Sequence, residues 1–155
     1  GKTFFSKTHQ LIIDRDFLII SPVDINKPDK YFVDAGAIKI GVPVELNFER
    51  LSVTGKIIID PDKNVAQFDF DKLKFPLKLR RWEEGDSFHP FGMLGRKKVS
   101  DYFTDNKFSL LDKQKTWILL SEDKIAWIVG HRIDDRFKID NQTKTIYKIS
   151  LIANS

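Results

Sequence analysis

The sequence predicts an α+β fold, with a β-rich first portion followed by a small mixed sheet carrying two short helices. Three observations predict it. Apolar residues along most of the chain either alternate or form runs of three or four bounded by polar turns, the two signatures of strands. The 3.6-residue spacing of an amphipathic helix is clear only around Val99–Asp105. A chain of 155 residues with 41% hydrophobic content and 13 Phe has enough apolar surface for a substantial core, so disorder is not expected.

In chain order, Leu11-Ile12-Ile13 and Phe17-Leu18-Ile19-Ile20 flank Asp14-Arg15-Asp16, a polar turn, and read as a hairpin. Pro22 to Asp34 is the least patterned stretch and reads as a loop. Val42, Val44, Leu46 and Phe48 alternate with Pro43, Glu45 and Asn47, which predicts a half-buried strand with Pro43 at its start or on an edge. Ile57-Ile58-Ile59 and Val65–Phe70 flank the turn cluster Asp60–Asn64 and read as a second hairpin.

Leu77–Arg81 is a predicted strand entering the turn Glu83-Glu84-Gly85-Asp86, and Phe88 to Gly95 carries too much glycine and proline for a regular element. Val99, Tyr102 and Phe103 then fall at i, i+3 and i+4 of a two-turn helix. Ser109 is placed to cap a second short helix through Lys115, with Asp112 at the capping-box position. Trp117–Leu120 and Ile125–Val129 flank Ser121-Glu122-Asp123 as a third hairpin, and Thr145, Tyr147, Ile149 and Leu151 alternate in a closing strand. This organisation divides the chain into a β-rich segment, residues 1–75, and an α+β segment, residues 76–155.

Charge divides the chain in the same way. Residues 1–75 hold 11 Lys/Arg and 11 Asp/Glu, whereas residues 76–155 hold 15 against 11, so the whole net charge of +4 lies in the second segment. Such asymmetry points to an anionic partner, although an uneven solvated surface has the same appearance. With no cysteine the chain forms neither a disulfide framework nor a thiolate metal site. No apolar run reaches bilayer length and no signal peptide is evident, so a cytoplasmic location is expected. The chain begins with Gly1 rather than Met and reads as a piece of a longer protein.

The segment richest in chemistry is Gly92-Met93-Leu94-Gly95-Arg96-Lys97-Lys98, which leads straight into the helix at Val99. Two glycines three apart allow a backbone to approach a ligand closely, and a helix start offers free N–H groups to phosphate oxygens. Cations at a helix start oppose its dipole, which suits a site that receives an anion. A glycine turn followed by a solvated basic cluster gives the same pattern. Arg80, Arg81, Lys107, Arg132 and Arg136 could extend the patch, and Trp82, Phe88, Phe91, Trp117 and Trp127 are available either for base stacking or for the core. Catalytic constellations are absent: His9, His89 and His131 are widely spaced and no phosphate loop, nucleophile elbow or dinucleotide fingerprint occurs. The residues alone describe a small basic phosphate-binding module or, failing that, a protein-interaction or structural β-rich module.

Arg80-Arg81-Trp82 through Gly85-Asp86, Phe88-His89-Pro90, Gly92-Met93-Leu94-Gly95, Lys97-Lys98, the following helix and Asp105-Asn106-Lys107 resemble, in that order, the C-terminal domain of tRNA(Ile)-lysidine synthetases, also called synthases. Trp127-Ile128-Val129-Gly130-His131-Arg132 and Arg136 resemble the end of that family's Trp-Val-x-Gly-x-Arg hairpin. The match runs from Leu77 to Ile139, and residues 1–75 resemble the family's middle region only loosely. Lys113 and Trp117 stand where the family often has Arg and Pro. The resemblance implies a non-catalytic segment that grips the acceptor stem of tRNA-Ile through Arg80, Arg81, Gly92, Gly95, Arg96, Lys97, Lys98, Lys107, Arg132 and Arg136. Its partner would be the N-terminal catalytic domain of the same protein, whose Ser-Gly-Gly-x-Asp-Ser loop activates the wobble cytidine with ATP and magnesium before lysine is attached. That loop does not occur in these 155 residues, and no cofactor is expected in them. Incubated with ATP, labelled lysine and tRNA-Ile, the chain is expected to release no pyrophosphate and incorporate no lysine; both together would overturn this reading.

Overall fold

In the computed structural model, residues 29–152 are described in full, together with the backbone of three strands among the first 28 residues. Those three are β1 (Lys2–Phe5), β2 (His9–Asp14) and β3 (Phe17–Pro22), and they form an antiparallel sheet in that order. Leu11 lies opposite Ile20 and Ile12 opposite Ile19, as the first hairpin requires. The turn residues Arg15 and Asp16 lie outside the described residues.

The strands that follow are β4 (Lys30–Val33), β5 (Lys39–Ile40), β6 (Leu46–Ser52), β7 (Val65–Asp69), β8 (Leu77–Arg81), β9 (Ser87–Phe88) and β10 (Lys97–Lys98). After helices α1 (Val99–Asp105) and α2 (Leu110–Lys115) come β11 (Trp117–Ser121), β12 (Lys124–Ile128), β13 (Arg132–Ile133) and β14 (Thr145–Leu151). One sheet has the order β13-β12-β11-β8-β4, another β5-β6-β14-β7, and β9 pairs with β10 alone. Strands from both sides of residue 76 meet in each larger sheet, with β4 on β8 and β14 between β6 and β7. The sheet expected to be mixed is antiparallel at every described ladder. Its strands β11, β12 and β13 follow one another through tight turns, and a parallel pair would need a crossover connection.

The five-stranded sheet is buried on both faces, which is why β11 is buried at every residue. On one face Leu79, Trp117, Leu119 and Trp127 pack with Phe48, Phe68 and Tyr147 of the four-stranded sheet. Tyr147 stacks on Phe48, and burial pushes its phenol up to about 12. On the other face Ile118, Leu120, Ile125 and Ile128 pack under Val99, Tyr102 and Phe103 of α1 and under Phe88. The register slips between Leu119 and Leu120, which lie opposite Trp127 and Ile125 and leave Ala126 unmatched. This bulge explains why the neighbours Ala126 and Trp127 share one face instead of alternating.

Three further sequence expectations need correction. The stretch read as a loop from Pro22 to Asp34 contains β4, whose pairing with β8 no local pattern announces. The strand expected from Val42 begins at Leu46, because the chain bends at 42–44 around Pro43, which has no N–H to give a ladder. Ile57–Ile59 form no strand, and Ile58 is 80% exposed. The segment is tied to β7 by a side chain instead: Gln67 Oε1 accepts from the Asp60 N–H at 2.8 Å and Gln67 Nε2 donates to the Ile58 carbonyl at 3.3 Å.

Both helices form where periodicity and caps predict them. Ser109 Oγ accepts from the Asp112 N–H, and the Asp112 carboxylate, its pKa lowered by the bonds from Ser109, accepts from the Ser109 N–H. The end of α1 carries no glycine signal, yet it closes as a Schellman turn. Phe108 N–H donates to Phe103 O, Lys107 N–H donates to Thr104 O, and the rings of Phe103 and Phe108 stack at 4.6 Å. Lys107 therefore takes a left-handed φ of 58°, which costs an L-residue about 1–2 kcal/mol. Lys107→Gly is expected to raise stability by about 1 kcal/mol, read from the urea midpoint. A loss of stability would show that the lysine side chain contributes more than its backbone costs.

Candidate nucleic-acid interface

Between Asp86 and Asp101 the sequence has no acidic residue and three successive cations, Arg96, Lys97 and Lys98. Pairing of β9 with β10 sets Lys97 opposite Phe88 and Lys98 opposite Ser87, so the residues between them form a loop that leaves the five-stranded sheet. Two arginine–carboxylate pairs fix its base. At the entry, Arg80 donates to both Asp86 oxygens at 2.9 Å, and Asp86 in turn accepts from Glu83 N–H. That bidentate bond raises the pKa of Arg80 still further. The carbonyl of Asp86 accepts from Val99 N–H at 2.9 Å, which joins the loop entry to the start of α1.

At the far side, the Asp134 carboxylate has no exposed surface. It accepts from His89 N–H at 2.7 Å, from Arg136 N–H at 2.8 Å, and from Arg136 Nε and Nη2 at 3.0 Å each. The Asp135 N–H donates to His89 O and Phe91 N–H donates to Ile133 O. Arg132 then holds the carbonyl of Phe91 with Nε at 3.1 Å and Nη2 at 2.7 Å. Gly92 and Gly95 sit at φ of 81° and 80°. Space is not what demands glycine there: a Cβ on Gly95 would meet nothing within 4 Å, and one on Gly92 only Arg132 at 3.8 Å. The left-handed backbone is the reason.

The ten residues picked from the sequence separate into distinct roles in this geometry. Arg96 and Lys98 are exposed, and their side chains have no ion pair or hydrogen-bond partner among the described residues. Lys98 is the N-cap residue of α1 and makes no side-chain cap. Lys97 pairs with Asp105 at the end of α1, so it is a tie across the helix. Arg80, Arg132 and Arg136 hold the loop, as described. Arg80 and Arg81 are neighbours on β8 and face opposite sides of the sheet. Arg80 lies opposite Ile118 on the helix side, whereas Arg81 lies opposite Trp117, over whose ring it stacks at 4.7 Å. Burial lowers the Arg81 pKa. Lys107 lies by a cleft of about 370 Å³ that is also lined by Phe108, Lys115 and His131, whose pKa is lowered by burial and then by Lys63.

Phe88 and Trp127 are fully buried, Trp117 nearly so, and Trp82 packs edge-on against Phe103, so these four aromatics serve the core. Phe91 is the exception at 42% exposed. Sequence reasoning missed Asp134 and Asp86, the two carboxylates that shape the loop. A signal for Asp134 was present in the Asp134-Asp135-Arg136 run, where an Asx turn and an i, i+2 ion pair are local possibilities. Among the described residues no three His, Asp or Glu side chains gather as a metal site. No helix among them is long and apolar enough to cross a membrane.

Asp134→Ala would leave the Arg136 guanidinium and the His89 and Arg136 backbone N–H groups without their acceptor. A loss of about 3 kcal/mol is expected in urea unfolding. A loss below about 0.5 kcal/mol would mean that the loop is held by other contacts.

Comparison with known proteins places the chain in a family. Residues 77–151 match the TilS substrate C-terminal domain, and residues 1–23 match the TilS substrate binding domain. A tRNA(Ile)-lysidine synthase of Parabacteroides distasonis is 46% identical over 99% of this chain and 35% of its own length. One of Bacteroides thetaiotaomicron is 40% identical over 96% of the chain and 33% of its own length. The chain thus spans about a third of the length of these relatives. In fold it is similar to a crystallised TilS C-terminal domain, with a TM-score of 0.64 and 18% identity over 81% of this chain and 99% of that one. The chain belongs to the tRNA(Ile)-lysidine synthase family and corresponds to its C-terminal region.

Proposed function

We propose that this chain grips the acceptor stem of tRNA-Ile on behalf of a lysidine-forming enzyme. In this reading the catalytic domain of the same cytoplasmic protein, using ATP and magnesium, ligates lysine to the wobble cytidine. The residues of the chain itself supply binding and positioning. The observation that carries the reading is the pair Arg96 and Lys98. They are exposed cations with no carboxylate of their own among the described residues, on a loop whose base is fixed by Asp86 and Asp134.

Unpaired cations on a fixed scaffold suit a polyanion, because each phosphate contact releases a condensed counterion and little loop entropy is lost on binding. An A-form stem offers phosphates and 2′-hydroxyls rather than a readable deep groove, so recognition by charge and shape fits a chain whose cations sit on a loop. The remaining arginines act indirectly. Arg80, Arg132 and Arg136 spend their guanidinium groups inside the protein, and removing them would lower affinity by loosening the loop. Lys107 and Arg81 are separate contacts in this proposal, away from the loop tip.

The test is a salt titration of binding to an acceptor-stem hairpin, with Arg96→Ala/Lys98→Ala beside the unaltered chain. Each lost duplex contact is expected to flatten the dependence of log K on log salt by about 0.9, the value for B-form DNA. Thermal stability should not change, since neither side chain has a described partner to lose. Equal affinity and an equal slope for the two proteins would exclude this pair as the phosphate site.

A further inference from the structure

Leu94 is fully exposed, and Phe91 and Met93 are each 42% exposed, so the tip of the loop presents three apolar side chains to solvent. Its backbone is nonetheless tied. Phe91 is held through both its N–H and its carbonyl, and Met93 N–H donates to Pro90 O at 3.0 Å. Gly92 and Gly95, both left-handed, turn the chain on either side of Met93-Leu94. A held, protruding apolar tip has a cost in water that contacts among the described residues do not offset.

What lies beside the tip narrows the choice of occupant. Arg96 follows Leu94 by two residues and Lys98 by four, both unpaired among the described residues, and no acidic residue lies between Asp86 and Asp101. The Asp135 carboxylate also accepts from Gly92 N–H at 3.5 Å, but it is paired with Lys138, and apolar residues beside unpaired cations match a surface that is itself flanked by phosphates. The minor groove of an A-form duplex is such a surface: wide, shallow, floored by riboses and base edges, and bordered by two phosphate rows. The B-form minor groove, about 6 Å wide, is too narrow for a loop of this kind.

Building on the acceptor-stem reading, we infer that Met93 and Leu94 lie on the ribose floor of the RNA minor groove while Arg96 and Lys98 meet the phosphates at its border. The apolar tip thereby distinguishes A-form from B-form duplexes, and the cations alone do not.

The experiment compares the full chain with Met93→Ala/Leu94→Ala and, separately, Arg96→Ala/Lys98→Ala. The probes are a blunt RNA duplex of acceptor-stem sequence, the DNA duplex of the same sequence, and single-stranded RNA. Removing the tip is expected to weaken RNA-duplex binding about tenfold with the salt slope unchanged, and to leave DNA-duplex binding unaltered. Removing the cations should flatten the slope on both duplexes. Tip variants that bind the RNA duplex as tightly as the unaltered chain overturn the inference, while a flattened slope in the cation variant would leave the phosphate reading standing. An equal loss on single-stranded RNA would make the tip a base-stacking element and overturn the groove assignment. Intact RNA binding with lost association to the catalytic domain would make it a protein-docking element, which overturns the assignment equally. Failure of the unaltered chain to bind the RNA duplex at low salt defeats both readings together.

Discussion

Burying a carboxylate costs several kcal/mol unless its lone pairs are met, and at Asp134 four N–H donors meet them. Three come from Arg136, and the fourth, from His89, lies 45 residues away in sequence. That one bond joins the connection after β13 to the start of the basic loop. Beside it lie the bridge between Pro90 and Asp134, the bond from Asp135 N–H to His89 O, and the bonds from Arg132 to the Phe91 carbonyl. Without it the far side of the loop would lose one of its ties, while Arg80 and Asp86 still hold the entry. A loop so loosened would lose more ordering entropy on binding any ligand.

The five-stranded sheet gives this arrangement its rigidity. It has a core on each face, one shared with the four-stranded sheet and one with α1, so β8, β11 and β12 cannot shift without disturbing two packed layers. Arg80 leaves β8, and β12 runs through the Gly130 turn into Arg132 on β13, so both sides of the loop are anchored on the same sheet. Helix α1 covers its outer face, tied to the loop entry through Val99 N–H and to β10 through Lys97 and Asp105. The positive charge of the second segment is therefore divided. Some of it is consumed in holding the scaffold, while Arg96 and Lys98 beside the loop tip have no carboxylate partner among the described residues.

Much of the architecture was legible because its causes are local. The helix at Val99–Asp105 follows from apolar spacing, the helix at Leu110–Lys115 from a Ser109–Asp112 capping box, and the β11–β12 hairpin from two apolar runs around a polar turn. The misreadings occurred where a local pattern had no tertiary partner, or a tertiary partner had no local pattern. Ile57–Ile59 look like a strand but find no ladder, while Lys30–Val33 look like a loop and become an edge strand through β8. In the basic loop, equal charges at Arg96, Lys97 and Lys98 could not reveal that only Lys97 meets Asp105.

By itself the sequence determined the α+β class, the two helices, the basic glycine loop and its order relative to the Trp-x-x-Gly-x-Arg element, all properties carried by residues near one another in the chain. Only the tertiary structure decided which cations are free. Whether an arginine binds a ligand or a carboxylate depends on groups brought within about 3 Å by strand pairing. For Arg132 that group is Phe91, 41 residues distant, and for β14 the neighbours β6 and β7 lie more than 70 residues away. Left-handed backbone at Lys107, with no glycine to announce it, is the same lesson on a smaller scale, since the stacked rings of Phe103 and Phe108 impose it. Local chemistry sets which elements form; the energy that commits each charged side chain to one partner comes from distant residues, and folding alone brings them together.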